Sequence, residues 1–186
     1  MAVWKTIYTT NIVSDRWINL RADRFITSGG TTLDPYYVLT YPDWVHIVAI
    51  QPPDHCLLIR QYRYAAEQYS LELPCGAMSE KDCSPEAAAN RELLEETGFS
   101  LSSAHLIAST YANPATHTNK VFVVVGTAIK APKPPSPDPG EELSLERVPL
   151  SSLPSLCTSG AIIQSMHIAS IFLALIHPLL GLSQPL

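Results

Sequence analysis

Arg91-Glu92-Leu93-Leu94-Glu95-Glu96-Thr97-Gly98-Phe99 is the stretch from which the rest of this 186-residue chain can be read. On a helix Glu92, Glu95 and Glu96 stand at i, i+3 and i+4, so three carboxylates share one side, while Leu94 and Ala87 are expected to point away toward a core. Like charges at this spacing repel. A solvated face tolerates the crowding, and a divalent cation among the carboxylates turns it to advantage; hard oxygen donors of this kind suit Mg2+ or Mn2+. The helix carries its own end signals. Ser84 reads as the N-cap, Pro85 as the first helical residue, Glu86 as the acid that complements the helix dipole, and Gly98 as the residue that ends it, giving a helix from Pro85 to Thr97.

Upstream of the helix, Leu71-Glu72-Leu73-Pro74 reads as a short strand stopped by proline. Val45 to Ile50 and Cys56 to Arg60 read as two strands joined through Gln51-Pro52-Pro53-Asp54 in a hairpin. From Trp4 to Ile50 short β-rich runs alternate with turn signals such as Ser28-Gly29-Gly30 and Asp34-Pro35, as in a set of antiparallel strands. Downstream, Lys120 to Gly126 is β-branched and predicts a strand, Ala131 to Gly140 holds five prolines and predicts a surface loop, and Leu143 to Val148 predicts another strand. Pro154 to Leu175 reads as two short helices, or a turn and one long helix. The fold class is therefore α/β.

Composition narrows the function. A net charge of −5 argues against a protein that coats nucleic acid through phosphate contacts. Anionic small molecules remain open, because a bound cation dominates its surroundings. Cys56, Cys75, Cys83 and Cys157 form no C-x-x-C pair and are sparse for a disulfide scaffold, and no secretory signal stands at Met1 to Thr6, so a reduced, cytoplasmic protein is expected. Ile162 to Leu182 is apolar, but Gln164, His167, His177 and Pro178 interrupt it. A buried amphipathic helix, and no membrane span, is the expectation. The histidines show no H-x-x-x-H spacing and read as structural; His117, in a loop after Pro114, is the exception to watch.

Gly76, Arg91-Glu92, Glu95-Glu96, Gly98 and Phe99 together resemble the Nudix box, whose form is Gly, five residues, Glu, seven residues, then Arg-Glu-apolar-x-Glu-Glu-x-Gly-apolar. The chain departs from it once. The interval from Gly76 to Arg91 is one residue longer, so the first box glutamate falls on Asp82 counted forward or on Cys83 counted back, which leaves the partner of Arg91 open. Gln61-Tyr62-Arg63, Leu71-Glu72-Leu73-Pro74, Asp15-Arg16-Trp17, Asp34-Pro35-Tyr36-Tyr37 and Pro114 look like the corresponding segments of the ADP-ribose pyrophosphatase branch.

The resemblance implies an α/β/α sandwich with a mixed sheet, preceded by an amino-terminal antiparallel β region: residues 1–43 for substrate and dimer contacts, residues 44–186 for catalysis. It implies a Mg2+- or Mn2+-dependent diphosphatase acting on a nucleoside diphosphate-X such as ADP-ribose, in a homodimer. Glu92, Glu95 and Glu96, with Gly76, become metal ligands, and Arg91 orients the glutamates. Glu72 and the backbone at Cys75 and Gly76 line the site, and Arg63 meets a substrate phosphate, which a guanidinium matches bidentately. Glu141, after the proline-rich loop, stands where the branch often carries its catalytic base, although two adjacent acids after a loop are more often only solvated. Trp17 would stack on a nucleobase, or serve as core or dimer contact; Pro114 falls in a substrate loop. Two other functions remain open: hydrolysis of a prenyl or terpenyl diphosphate, and a binding module that has lost catalysis.

Overall fold

The computed structural model describes residues 3–137 and 140–180. Residues 1–42 with 111–120 form one compact unit, and residues 43–110 with 121–186 form another.

In the first unit, β1 (Lys5–Ser14), β2 (Asn19–Ile26) and β3 (Thr32–Leu39) make an antiparallel sheet in the order β1-β2-β3. The turn from β1 to β2 is built by Asp15, whose Oδ1 accepts hydrogen bonds from the backbone N–H of Trp17 at 2.7 Å and of Ile18 at 2.9 Å, an Asx turn. Trp17 thus sits in a turn and not on a strand; it is 73% exposed, with the Arg16 guanidinium 4.2 Å from its ring centre. Phe25 anchors the sheet, stacked on Trp4 with ring centres 5.1 Å apart and met edge-on by Tyr36. Asp34-Pro35, expected to precede a strand, lies inside β3 with a cis peptide bond. The strand accommodates it because the β2–β3 register shifts there, between Asp23 and Phe25, and leaves Asp34 and Pro35 out of the ladder.

In the second unit, β4 (Trp44–Gln51) and β5 (His55–Arg63) form the expected hairpin, pairing Ile50 with Cys56 and Gln51 with His55. β6 (Gln68–Glu72) adds antiparallel to β5, and β7 (Cys75–Ala77) adds antiparallel to β4, with Pro74 at the break between them. Then follow α1 (Pro85–Thr97), β8 (Phe99–Tyr111), β9 (Lys120–Lys130), β10 (Leu143–Pro149), α2 (Leu153–Thr158) and α3 (Ser165–Leu175). The path of the sheet is β10-β5-β4-β9-β8, and β4 runs parallel to β9, so the sheet is mixed as expected.

β4 is covered on both faces. Val45, Ile47 and Ala49 pack with Ala88, Ala89 and Leu93 of α1, while Val48 packs with Leu153 of α2 and with Ile171 and Ala174 of α3. Alternate residues point to opposite faces of a strand, so one continuous apolar run feeds two cores, and the layers are helix, sheet, helix.

The ends of α1 fall at the predicted residues. Ser84 accepts a hydrogen bond from the Ala87 N–H at 3.2 Å, Pro85 opens the helix, and Gly98 closes it with φ of 69°. Its buried face differs from expectation: Ala88, Ala89, Leu93 and Thr97 are buried, whereas Ala87 and Leu94 are only partly so. The buried stripe runs beside Glu92 and Glu96, because Ala88 and Ala89 stand four and three residues before Glu92 and Leu93 three before Glu96, so docking on β4 and β7 carries those carboxylates to the edge of the buried face. β8 was not foreseen. Between Ala131 and Gly140 the described residues form neither strand nor helix; Asp138 and Pro139 lie outside them. No described helix is long and apolar enough to cross a membrane, and of the apolar stretch Ile162 to Leu182, the last two residues lie outside the described ones.

Gly98 occupies the left-handed region, where a side chain is strained by about 1–2 kcal/mol. A Cβ there would also stand 3.1 Å from Pro135 Cδ. Gly98→Ala is expected to lower unfolding free energy by about 1–3 kcal/mol, read from urea denaturation; an unchanged midpoint would refute this account of the helix end.

Candidate active site

Arg91 organises the carboxylates of α1. Its Nε donates to Asp82 Oδ1 at 3.0 Å and its Nη2 to Asp82 Oδ2 at 2.8 Å, a bidentate pair. Nη1 donates to Glu92 Oε1 at 2.8 Å and to Glu95 Oε2 at 3.1 Å, and Nη2 also reaches the Ala77 carbonyl at 3.0 Å. This decides between Asp82 and Cys83. Asp82 is the acid that holds Arg91, and the exposed Cys83 takes up the extra residue of the loop. Ser79 completes the hold, donating through N–H and Oγ to Asp82 Oδ2. The Arg91 hydrogen bond in particular keeps the Asp82 carboxyl well below the usual carboxylate range.

Gly76 makes room for Glu92. A Cβ there would fall 2.0–2.4 Å from the carboxyl atoms of Glu92, so any side chain at this position would push that carboxylate away from its Arg91 contact. One residue earlier, the Cys75 N–H donates to Glu96 Oε2 at 3.2 Å. Glu96 has little else that is positive near it. Burial pushes its carboxyl up to about 9, and the charges of Glu92, Glu141 and Glu72 add to the shift against the single Cys75 N–H. Glu92 is also raised, by burial first, although Arg91 opposes this.

Glu72 has no accessible surface, yet stays ionised: burial raises its carboxyl, but the Arg63 hydrogen bonds and the nearby Arg63 guanidinium and His167 ring outweigh it and hold it at about 2. Arg63 grips it with two donors, Nε to Oε1 at 2.7 Å and Nη2 to Oε2. One edge of the guanidinium is therefore committed to Glu72, and the residue keeps an outer edge for other anions, its side chain being 40% exposed.

These groups line a cavity of about 560 Å³, whose wall includes Trp44, Gln61, Arg63, Glu72, Gly76, Glu96 and Glu141. Of the residues singled out from sequence, Arg63, Glu72, Gly76, Glu96 and Glu141 line it; Arg91, Glu92 and Glu95 are not among the lining residues and are joined to one another through Arg91. Trp17 and Pro114 belong to the other compact unit and are not among the lining residues. His117, also of that unit, bridges backbone to Leu39 and meets the Tyr41 ring edge-on. His46 and His167, read from sequence as structural, line the cavity as well.

The donors suit a hard divalent cation. Glu92, Glu95 and Glu96 offer carboxylate oxygen only, and Glu96 is a buried acid whose ionisation lacks a cationic partner, the deficit that Mg2+ or Mn2+ would fill. The three are not drawn into a tight cluster; among the described residues the ligating atoms that converge within 4.8 Å are those of His46, Cys75 and His167.

Residues 40–164 match the NUDIX domain. The chain belongs to the NUDIX family. Ahead of this domain, residues 4–39 match the nucleoside diphosphate sugar hydrolase N-terminal domain. A methanol dehydrogenase activator of Bacillus methanolicus is 35% identical over 95 residues, covering 51% of this chain and 50% of that protein. An ADP-ribose pyrophosphatase of Bacillus subtilis is 29% identical over 110 residues, 59% of this chain and 58% of that protein. The matched segment thus spans about half the length of these curated relatives. A crystal structure of an ADP compounds hydrolase superposes with a TM-score of 0.83 at 24% identity, covering 94% of this chain and 93% of that one, which shows the shared fold.

Glu96 also sets a pH dependence. An acid whose folded-state value is raised from 4.5 to about 9 binds its proton more tightly folded than unfolded. Its contribution to stability is full below 4.5 and is lost as pH rises toward about 9. With chelator present, Tm is expected to fall over that window more in the native protein than in Glu96→Gln, and added Mg2+ is expected to raise Tm increasingly as pH rises. Differential scanning fluorimetry reads both; parallel curves for the two proteins would contradict the assignment.

Proposed function

We propose that this chain is a metal-dependent diphosphatase that hydrolyses a nucleoside diphosphate-X such as ADP-ribose to a nucleoside monophosphate and a phosphorylated X. The observation that carries the reading is the buried, cation-deficient Glu96 on the wall of a cavity whose opposite charge comes from Arg63, backed by Glu92 and Glu95 on Arg91. The relatives named as ADP-ribose pyrophosphatase and ADP compounds hydrolase, and the amino-terminal match to nucleoside diphosphate sugar hydrolases, support the substrate class.

In this reading Mg2+ or Mn2+ is held by Glu92, Glu95 and Glu96 with the backbone at Gly76, and when bound it neutralises charge on the diphosphate oxygens. Arg91 keeps the glutamates facing one way and Asp82 keeps Arg91 in place. Arg63, already fixed by Glu72, turns its outer edge to a phosphate. Glu141 on the cavity wall accepts the proton of the attacking water, whose oxygen bonds one phosphorus as the bridging P–O bond breaks.

Removing a ligand that supports several kcal/mol of charge stabilisation is expected to slow turnover on the order of 10³-fold. Glu96→Gln should show this with ADP-ribose and Mg2+, in a coupled phosphate assay; for Glu141→Gln a fall of roughly 10²–10⁴-fold is expected of a general base. A Glu141→Gln rate within tenfold of native would remove that role, and turnover of farnesyl diphosphate alone would overturn the substrate.

The protein is further read as a homodimer. Ile7, Tyr8, Ile12 and Val13 are 42–50% exposed on β1, which is solvent-facing along its whole length and pairs on one edge only. Such an exposed apolar strand marks an association surface. Light scattering behind size exclusion should give twice the 20.4 kDa chain mass; a monomer that persists at high concentration would end the dimer reading.

A further inference from the structure

His46, Cys75 and His167 come from three elements that the sheet topology brings together. β4 and β7 pair His46 directly opposite Cys75, and α3 packs on β4 and carries His167 over the same face. The two imidazoles stack with ring centres 4.1 Å apart and planes 7° from parallel. One ring nitrogen of each histidine and Cys75 Sγ all lie within 4.8 Å of one another. A tetrahedral zinc site, with Zn–N of about 2.0–2.1 Å and Zn–S of about 2.3 Å, sets its ligand atoms roughly 3.3–3.6 Å apart; because an ion lies near the plane of each imidazole that binds it, closing the three around one ion turns the two stacked rings out of parallel as well as drawing their nitrogens together.

The hydrogen bonds point the same way. His167 is 1% exposed, and neither ring nitrogen has a hydrogen-bond partner. Its Nε2 is 3.3 Å from Glu72 Oε2, a charge contact that is out of line for a hydrogen bond, and Arg63 already occupies that carboxylate. A buried histidine kept only for packing satisfies its nitrogens; here Nδ1 has no hydrogen-bond partner and Nε2 has only the charge contact with Glu72. His46 Nδ1 lies 2.9 Å from Ser170 Oγ, which leaves Nε2 for a second partner, the arrangement in which an outer hydrogen bond orients a metal-binding imidazole.

We propose that His46, Cys75 and His167 form a second cation site, selective for a thiophilic divalent ion of the Zn2+ class and distinct from the carboxylates of α1. Two imidazoles and one thiolate favour Zn2+ and Co2+ over Mg2+, which prefers oxygen. The fourth position opens on the cavity, where His46, Cys75 and His167 all contribute to the wall. The site depends on none of Glu92, Glu95 or Glu96, so it stands whether or not the chain proves to be a diphosphatase.

Co2+ serves as the spectroscopic probe, added to reduced full-length protein in excess Mg2+, with Zn2+ titrated by calorimetry alongside. One equivalent of Co2+ is expected to give a sulfur-to-cobalt charge-transfer band and the intense visible bands of tetrahedral cobalt, both displaced by Zn2+. C75S, the smallest change at the site, should lose the charge-transfer band and weaken Zn2+ binding by about 100-fold, the upper end of what even an outer-partner loss costs. Glu96→Gln should keep both at native strength while losing turnover. H167Q, checked for folding by circular dichroism, should weaken Zn2+ to a similar extent. A cobalt spectrum without sulfur character, Zn2+ affinity in C75S within twofold of native, or loss of the signal in Glu96→Gln would each overturn the proposal. Absent turnover in the native protein with the cobalt–thiolate spectrum intact would overturn the diphosphatase reading alone.

Discussion

A single guanidinium holds the acidic side of α1 in order. Arg91 meets both oxygens of Asp82, one each of Glu92 and Glu95, and the carbonyl of Ala77, so it ties the helix to the loop before it and to β7. Without a cation at this point, three carboxylates on adjacent turns would separate by repulsion and the loop from Ala77 to Ser84 would lose its main anchor. Glu96 alone lies outside the reach of Arg91 and depends on one backbone N–H. Of the three glutamates its carboxyl is thus the one without a cationic partner.

Docking the box against the sheet relies on β4. A strand with both faces buried needs an uninterrupted apolar run, and Val45 to Ile50 supplies one except at His46. That exception places an imidazole in the core on the α3 side, where it stacks on a second. A polar residue in such a run is accommodated only if its surroundings give it partners, and Ser170 meets one of the two nitrogens.

Much of this was legible in the chain because the signals were local. Ser84, Pro85 and Gly98 bound α1 through hydrogen bonds and backbone angles that involve neighbours only, and the hairpin at Gln51 to Asp54 is likewise set by adjacent residues. β8 escaped because Ser100 to Tyr111 is half serine, threonine and small residues, without a clean alternation; it is a strand through its pairing with β9 at the end of the sheet path, and much of it stays solvated. Which acid serves Arg91 could not be read by counting, since one extra residue is absorbed by a bend at Cys83 that only the folded loop reveals. Arg63 and Glu72 each stood out, but their mutual grip depends on the β5–β6 pairing. His46, Cys75 and His167 share no spacing that a motif could capture, because cross-strand register and helix docking join them.

The peptide from Pro74 to Gly76 touches nearly everything discussed above. The Pro74 carbonyl accepts from the Ile47 N–H at 2.9 Å, the Cys75 N–H holds Glu96, the Cys75 side chain faces His46 across the strand pair, and Gly76 lies against Glu92. One short piece of backbone therefore sets the place of the donor that meets Glu96 and the place of the sulfur beside His46, so no substitution that reshapes this segment can alter one face of the sheet alone.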